Sequence, residues 1–182
     1  MKFCSVCGHE VLLSVPPGDN RPRYGCPHCG TIHYQNPKLV LGTVPVWQGR
    51  VLLCRRAIEP RYGFWTLPAG FMENGETTAE GAQRETAEEA GARIALGEPF
   101  SMLDVPHVNQ VHVFFLAEML DASLDPGPES LEAQLFAEAD IPWDAIAFRT
   151  VEQTLRWYFA DCARGAFSMH IGAFRHPARR KD

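Results

Sequence analysis

The sequence of 182 residues lacks any long apolar run. Its densest apolar segment is only residues 113–117, whereas a membrane-spanning helix needs about 20 predominantly apolar residues. Residues 1–5 also lack the apolar stretch that marks a secretory signal peptide. We therefore expect a soluble, cytoplasmic protein with no membrane partner.

The sequence also lacks an excess of positive charge. Lys and Arg number 17 against 22 Asp and Glu, which gives a formal net charge of −5. This balance argues against a dedicated nucleic-acid surface, because such surfaces are strongly basic. Residues 176–181 are locally basic, and we expect a frayed terminus there rather than a binding arm.

The negative charge that is present is concentrated in one segment. Residues 70–91 hold six glutamates and one arginine, a local charge of −5 that equals the net charge of the whole chain. Like charges packed this closely are costly unless a cation lies among them. Carboxylate oxygens suit Mg²⁺ or Mn²⁺, so the segment predicts a site for one of these ions. The competing interpretation, a solvated acidic helix face, is weakened because lysine partners four residues along are missing.

Local sequence signals predict that most of these glutamates lie on a helix. Thr77 and Glu80 have the spacing of a capping box, and a glycine follows at the expected end, so we predict a helix over 78–90. Three glutamates then share one face at positions i, i+3 and i+4: Glu85, Glu88 and Glu89.

Cysteine is scarce, yet four of the six cysteines form two CxxC pairs: Cys4, Cys7, Cys26 and Cys29. The pairs are separated by 18 residues and each is followed by glycine, a spacing that predicts the closed Zn²⁺ site of a zinc ribbon. Disulfides are not expected in a reducing cytoplasm, and a thioredoxin-like redox site needs only one pair. His9 and His28 could replace a thiolate, but with four cysteines present we interpret them as bystanders. We assign residues 1–35 to the ribbon and 36–182 to a second domain.

The second domain alternates between strand-like and helical patterns. Strands are predicted at 39–47, 51–54, 93–104, 109–119, 132–138 and 169–174. Apolar positions at helical spacing predict a second amphipathic helix over 151–164. The pattern indicates an α/β fold.

Residues 70–92 resemble the Nudix box, G-x5-E-x7-R-E-U-x-E-E-x-G-U, in which U is a bulky aliphatic residue. All seven fixed positions match: Gly70, Glu76, Arg84, Glu85, Glu88, Glu89 and Gly91. Thr86 and Ala92 occupy U positions, a departure that concerns packing rather than chemistry. The resemblance implies a Nudix hydrolase, an α/β/α sandwich with a mixed β-sheet, preceded here by the ribbon. It also implies cleavage of the pyrophosphate bond of a nucleoside diphosphate linked to another group.

The same resemblance implies roles for individual residues. Four residues would hold the Mg²⁺ or Mn²⁺ ion: Ala69 through its carbonyl, Glu85, Glu88 and Glu89, with Glu88 acting either directly or through a water. Arg84 and Glu76 would orient these glutamates from behind.

The resemblance specifies the general base and the substrate contacts less closely than the metal ligands. Nudix enzymes use either a box glutamate or a glutamate from a distant loop, and the loop candidates here are Glu132 and Glu129. We rank Glu132 first because we expect it at the start of a strand; the alternative is that both are surface charges. Candidate substrate contacts are Arg55 and Arg56 for phosphate, Trp65 for stacking and Gln110 for a nucleotide edge. Each also has an ordinary interpretation as a strand end or core residue.

Further segments resemble one group within the family, bacterial zinc-ribbon Nudix proteins related to a plant chloroplast enzyme that cleaves FAD and ADP-ribose. The matching stretches outside the ribbon are 32–37, 52–61, 65–71, 126–132 and 141–143. This resemblance implies release of AMP from FAD or ADP-ribose.

Other functions stay open at this point. A Nudix enzyme could instead act on NADH, a dinucleoside polyphosphate, a nucleoside triphosphate or capped RNA, although the Ser-Gln-Pro-Trp-type motif of NADH-cleaving relatives is absent after Gly91. A non-catalytic protein that senses ADP-ribose or binds nucleic acid is the alternative from another class, but such regulators usually lose box glutamates and this chain keeps them. A homodimer also stays open.

Overall fold

The computed structural model describes residues 1–175, so the basic stretch 176–181 lies outside the described residues. The chain divides into two compact units, Met1–Asn36 and Pro37–Asp182. Within the described part, no helix is long and apolar enough to cross a membrane.

The first unit contains a three-stranded antiparallel sheet and two similar knuckles. The strands follow each other in the order β1 (Leu12–Ser14), β2 (Arg23–Gly25) and β3 (Ile32–His33). In each knuckle a glycine N–H donates to the carbonyl of the first cysteine, Gly8 to Cys4 at 3.0 Å and Gly30 to Cys26 at 2.9 Å. Both glycines have φ near +75°, a conformation that costs little only without a Cβ.

Over residues 37–175 the second unit consists of one mixed sheet and two long helices. Its strands are β4 (Lys38–Trp47), β5 (Arg50–Arg56), β6 (Trp65–Thr66), β7 (Ala69–Phe71), β8 (Ile94–Val105), β9 (Gln110–Met119), β10 (Ser130–Phe136) and β11 (His170–Ala173). The helices are α1 (Thr78–Ala90) and α2 (Arg149–Arg164). The main path runs β10-β5-β4-β9-β8-β11, with β6 paired to β5 and β7 paired to β4. The β4–β9 and β11–β8 pairs are parallel and the others are antiparallel.

One helix covers each face of this sheet. Neighbouring residues of a strand point to opposite faces, so each central strand contributes to two cores. On one face Val44 and Leu53 pack with Leu155 of α2. On the other face Leu41 packs with Ala82 of α1. The predicted α/β/α sandwich with a mixed sheet is therefore confirmed.

Helix α1 begins and ends as predicted. The Thr77 hydroxyl accepts from the Glu80 N–H at 3.2 Å, and the Glu80 carboxylate accepts from the Thr77 N–H at 2.7 Å. Gly91 ends the helix with φ of 61°, and its N–H donates to the Ala87 carbonyl. Both signals are local, which is why the sequence located this helix correctly.

Thr86 shows why a polar residue is tolerated at a position where the Nudix pattern favours an aliphatic one. Its hydroxyl is fully buried, donates to the Ala82 carbonyl at 2.8 Å and lies 2.6 Å from the Thr43 hydroxyl of β4. Each buried hydroxyl thus has a partner, which removes the penalty for burying it.

Several element boundaries differ from the predictions by one or two residues. Strand β10 begins at Ser130 rather than 132, because pairing with β5 continues to Arg56, and it ends at Phe136. Helix α2 begins at Arg149, two residues before the first apolar residue of the periodic pattern.

Candidate active site

Arg84 organises the acidic residues of α1. Its Nε and Nη2 atoms donate to the two carboxylate oxygens of Glu76 at 3.0 and 2.8 Å. Its Nη1 donates to Glu85 at 2.7 Å and to Glu88 at 3.1 Å, and Nη2 also reaches the Phe71 carbonyl at 3.2 Å. One guanidinium therefore contacts three carboxylates, which uses the planar fork that distinguishes arginine from lysine.

Glu76 is held as a fully ionised partner of this arginine. The hydrogen bonds from Arg84 and from the Glu73 N–H, at 2.7 Å, lower the pKa of Glu76 to about 2. Glu76 thus acts as a permanent anion that fixes the guanidinium, and the guanidinium in turn fixes Glu85.

The Glu85 carboxylate lies directly against the backbone of Gly70. A Cβ at position 70 would fall 2.3–2.4 Å from three atoms of that carboxyl group. Gly70 belongs to β7 and has no positive φ, so a glycine is needed here for this close approach and not for a turn. Burial raises the pKa of Glu85.

Glu89 is the most deeply buried acid of the helix, with only 7% of its surface exposed. One carboxylate oxygen accepts from the Ala69 N–H at 3.1 Å. Burial raises the pKa of Glu89 to about 8, and the negative charges of Glu85 and Glu129 add to the effect. A negative charge on the half-buried Glu85 and the buried Glu89 is therefore unfavourable in the protein alone, which is the electrostatic condition that a bound cation relieves.

Glu88 differs from the other two glutamates of the predicted metal face. Its side chain is 60% exposed, and its described partner is Arg84. Among the described residues, no three carboxylates bring their oxygens as close together as the cysteine sulfurs of the ribbon. The structure therefore brings Glu85 and Glu89 together with Ala69 and leaves Glu88 at the solvent edge.

The loop before β10 is anchored on the end of α1. The Asp125 N–H donates to the Ala90 carbonyl at 2.9 Å, and the Ala57 N–H donates to the Glu129 carbonyl at 2.8 Å. Gly127 lies so close to the helix that a Cβ there would be 2.0 Å from the Glu88 carbonyl oxygen. Sequence reasoning missed Asp125 and Gly127, and the signal that could have found Gly127 is a glycine between two prolines.

The two loop glutamates have different surroundings. Glu129 lies close enough to Glu85 and Glu89 to raise the pKa of both carboxyls. Glu132 instead pairs with Arg55 at 3.8 Å, and both side chains are about half exposed. Glu132 is paired with Arg55 across the two strands, beyond a register shift in β10 between Ser130 and Glu132, and the choice of general base between Glu129 and Glu132 stays a prediction.

The two neighbouring arginines of β5 have different surroundings. Arg56 is 9% exposed, donates from Nε to the Pro60 carbonyl at 2.9 Å and stacks over the Phe148 ring. Its positive charge also lowers the pKa of Glu89, against the larger effect of burial. Arg55 is bound to the Gly63 carbonyl and faces Glu132. Of this pair, only Arg56 lies beside the buried carboxylates.

Trp65 and Gln110 are placed with the α2 side of the sheet. Trp65 packs edge-to-face on Phe136, with ring centroids 4.9 Å apart. Gln110 lies 3.0 Å from His112, whose other ring nitrogen lies 3.0 Å from the Thr150 hydroxyl of α2. Their described contacts are thus with core and α2 residues and not with the carboxylates of α1.

The four cysteines of the ribbon form a separate cluster. Their sulfurs all lie within 4.8 Å of one another, with Cys4 and Cys29 at 3.7 Å and Cys7 and Cys26 at 3.5 Å. A tetrahedral Zn²⁺ with bonds of 2.3 Å places its sulfurs about 3.8 Å apart, so the cluster fits zinc. His33, which sequence reasoning missed, supports the cluster from β3 with its Nε2 atom 3.3 Å from the Cys4 sulfur.

Comparison with known proteins identifies the class that this fold and these sites define. The family model of the NUDIX domain matches residues 38–158, and the zinc-ribbon model described as Nudix N-terminal matches residues 2–35. The chain therefore belongs to the Nudix family.

Particular relatives are similar over most of the chain. The crystal structure of a NUDIX hydrolase from Nitrosomonas europaea is 52% identical with a TM-score of 0.94, and the match covers 97% of this chain and all of that one. An ADP-ribose pyrophosphatase from Methanocaldococcus jannaschii is 28% identical over 68% of this chain and 76% of its own length. The NAD-capped RNA hydrolase NudC of Photobacterium profundum is 28% identical over 84% of this chain and 58% of its own. The chain thus spans only about three fifths of the length of the NudC proteins that it matches.

Proposed function

We propose that this protein hydrolyses the pyrophosphate bond of a nucleoside diphosphate derivative in a metal-dependent reaction. The observation that carries this proposal is a pair of carboxyl groups against the backbone of β7, the half-buried Glu85 and the buried Glu89, both with raised pKa values. Negative charge on such a pair is costly without a cation, so the pair is well suited to hold a divalent ion. The similarity to a NUDIX hydrolase at 52% identity supports the same reaction class.

The donor set fits Mg²⁺ or Mn²⁺, because it consists of oxygen atoms only. Glu85, Glu89 and the carbonyl of Ala69 would hold the ion, with Glu88 contributing from the solvent edge. When bound, the metal neutralises phosphate charge and increases the acidity of a water molecule. Zinc in the ribbon would be structural, since four thiolates leave no open coordination position.

The side chains around the metal-binding residues would divide the remaining work. Arg84, itself fixed by Glu76, holds the Glu85 carboxylate in place through the 2.7 Å hydrogen bond. Glu129 would accept the proton of the attacking water as general base, and Arg56 would neutralise charge on the substrate phosphates. The water adds to one phosphorus, the bridging P–O bond breaks, and two phosphomonoesters leave.

We propose FAD and ADP-ribose as the substrates, with AMP as the common product. Cleavage of ADP-ribose would also yield ribose 5-phosphate, and cleavage of FAD would yield FMN. The support is the resemblance of several segments to zinc-ribbon Nudix proteins of this activity, together with the similarity to an ADP-ribose pyrophosphatase.

The second candidate substrate is NADH or an NAD-capped RNA. Several similar curated proteins, among them those of Photobacterium profundum and Vibrio parahaemolyticus, are NAD-capped RNA hydrolases, which stands against the expectation of no nucleic-acid partner. We rank this candidate second because the Ser-Gln-Pro-Trp-type motif does not follow Gly91 in this sequence.

A substrate panel tests the proposal. FAD, ADP-ribose, NADH and NAD-capped RNA are incubated with the protein and Mg²⁺ or Mn²⁺, with chelator added to parallel samples, and the products are resolved by chromatography. We expect metal-dependent AMP from FAD or ADP-ribose at the highest rate. Faster cleavage of NAD-capped RNA would favour the second candidate, and no turnover of any member would overturn the hydrolase proposal.

A further inference from the structure

A second group of metal-ligating side chains lies on the surface of the ribbon. The ligand atoms of Cys7, His9 and His28 all lie within 4.8 Å of one another. Cys7 is half-buried and both histidines are exposed. The zinc site accounts for Cys7 and leaves the two histidines without a role.

The pairing of the two knuckles brings these histidines together. His9 follows the first knuckle and His28 lies within the second, and their rings stack with centroids 3.6 Å apart and planes 7° from parallel. The Nδ1 atom of His9 lies 3.2 Å from the Cys7 carbonyl oxygen. Because a carbonyl only accepts, Nδ1 carries the proton, and the lone pair of this ring is on Nε2.

The distances are close to those of a metal site. Zinc–nitrogen and zinc–sulfur bonds imply that tetrahedral ligand atoms are about 3.5 Å apart, so a separation of up to 4.8 Å requires a movement of about 1 Å. Exposed side chains can move that far without disturbing the core. Because the lone pair of an imidazole lies in the plane of its ring, the two stacked rings must also rotate out of their parallel arrangement to bind one ion. One thiolate and two imidazoles are ligands for Zn²⁺ or Co²⁺ and not for Mg²⁺.

The charge of the neighbouring site favours a second cation. Four thiolates around one divalent ion leave two negative charges, and Cys7 is one of these thiolates. A cation that binds the exposed side of the Cys7 sulfur reduces this excess. Such an ion would be exchangeable, because a Cys-His-His set leaves a coordination position to water.

We propose that Cys7, His9 and His28 form a second, exchangeable site for a thiophilic divalent ion, which shares the Cys7 thiolate with the structural zinc. This site is independent of the proposed hydrolase activity. Its ligands come from both knuckles, so an ion bound there links the two halves of the ribbon.

Titration of the zinc-loaded full chain with Co²⁺ tests the proposal. A thiolate bound to Co²⁺ gives a charge-transfer band in the near ultraviolet, whereas carboxylates such as those of α1 do not, so the band excludes the α1 site. The titration uses the Cys162→Ser protein, because Cys162 is an exposed thiol outside the ribbon. We expect the band to saturate at the intensity of one thiolate-bound Co²⁺ per chain while the zinc content of the protein is unchanged. Absence of the band, or its appearance together with an equal loss of zinc, would overturn the proposal.

Histidine variants identify the ligands. The double variant His9→Ala/His28→Ala is expected to lose the band, and each single change to Gln should weaken Co²⁺ binding about tenfold or more. His107→Ala, an exposed histidine of the second unit, is the matched control and should keep the band. Zinc content and circular dichroism establish that the variants are folded. A full band in the folded double variant would show that the histidines are not ligands.

Discussion

Replacing Gly70 by alanine is expected to disable the candidate active site and leave the fold intact. The new Cβ would lie 2.3–2.4 Å from the Glu85 carboxyl atoms. Carbon and oxygen need a separation of about 3.3 Å, so the carboxylate must move by about 1 Å. Glu85 is the end of a flexible side chain, and alanine is tolerated in a strand, so the free energy of unfolding should change by about 1 kcal/mol or less.

The effect on activity should be much larger than the effect on stability. A displacement of about 1 Å at a reacting centre can cost on the order of 100-fold in rate. Glu85 would also leave the position in which Arg84 binds it at 2.7 Å. We therefore expect Gly70→Ala to lower kcat/KM for AMP release about 100-fold. We also expect it to weaken Mn²⁺ binding, which electron paramagnetic resonance measures. Gly25→Ala, where a Cβ meets nothing within 4 Å, is the control.

A double-mutant cycle shows whether the loss acts through Glu85. In a Glu85→Ala background the obstacle is gone, so Gly70→Ala should cause little further loss of Mn²⁺ affinity. Wild-type activity in Gly70→Ala would refute the reasoning. An equal loss of Mn²⁺ affinity in both backgrounds would also refute it, because the two residues would then be independent.

Three further predictions concern a loop glutamate, a buried histidine and the cap of α1. Glu129→Gln should lower kcat by about 10²–10⁴-fold, as expected for a general base, whereas the matched Glu132→Gln should change it less than about fivefold. Similar effects of the two changes would contradict the proposal that Glu129 is the general base. Burial lowers the pKa of His112 to about 4 from 6.5, so the unfolded chain takes up this proton first as the pH falls. The free energy of unfolding, measured with urea, should therefore decrease between pH 6.5 and pH 4, and His112 should account for on the order of 3 kcal/mol of this decrease. His112→Asn should make the decrease smaller. The same pH dependence in the variant would exclude His112 as its source. Thr77→Ala removes the N-terminal cap of α1 and should lower the free energy of unfolding by about 1 kcal/mol. Thr78→Ala, at the next residue, should change it by less than about 0.5 kcal/mol. Equal effects of the two changes would show that the Thr77 cap does not stabilise the helix.

The parts of the fold that depend on local signals could be predicted from the sequence. Helix α1 has both halves of its capping box and a left-handed glycine at its end, and each of these is specified by residues within one turn. The ribbon knuckles are likewise specified by the spacing of cysteine and glycine. The side-chain partners of Arg84 follow in part from the same spacing, because Glu88 lies four residues further along the helix.

The parts of the site that depend on tertiary contacts could not be predicted. The need for glycine at position 70 follows from the approach of Glu85 from another element, which the sequence does not show. Glu129 and Glu132 are close in sequence, and a register shift in β10, invisible in a single sequence, separates their surroundings. Neighbouring strand residues also point to opposite faces, so Arg55 and Arg56 differ in role although they are identical in type.

The most direct test of the account is the rate of AMP release by Glu89→Gln. Glutamine keeps an oxygen that can accept from the Ala69 N–H, which lies 3.1 Å from the Glu89 carboxylate, but it cannot ionise to bind a metal ion. With Mg²⁺ and FAD or ADP-ribose, we expect kcat/KM to fall at least about 100-fold, while Glu118→Gln, an exposed glutamate of β9, keeps the wild-type rate. AMP release at the wild-type rate by a folded Glu89→Gln protein would contradict the account.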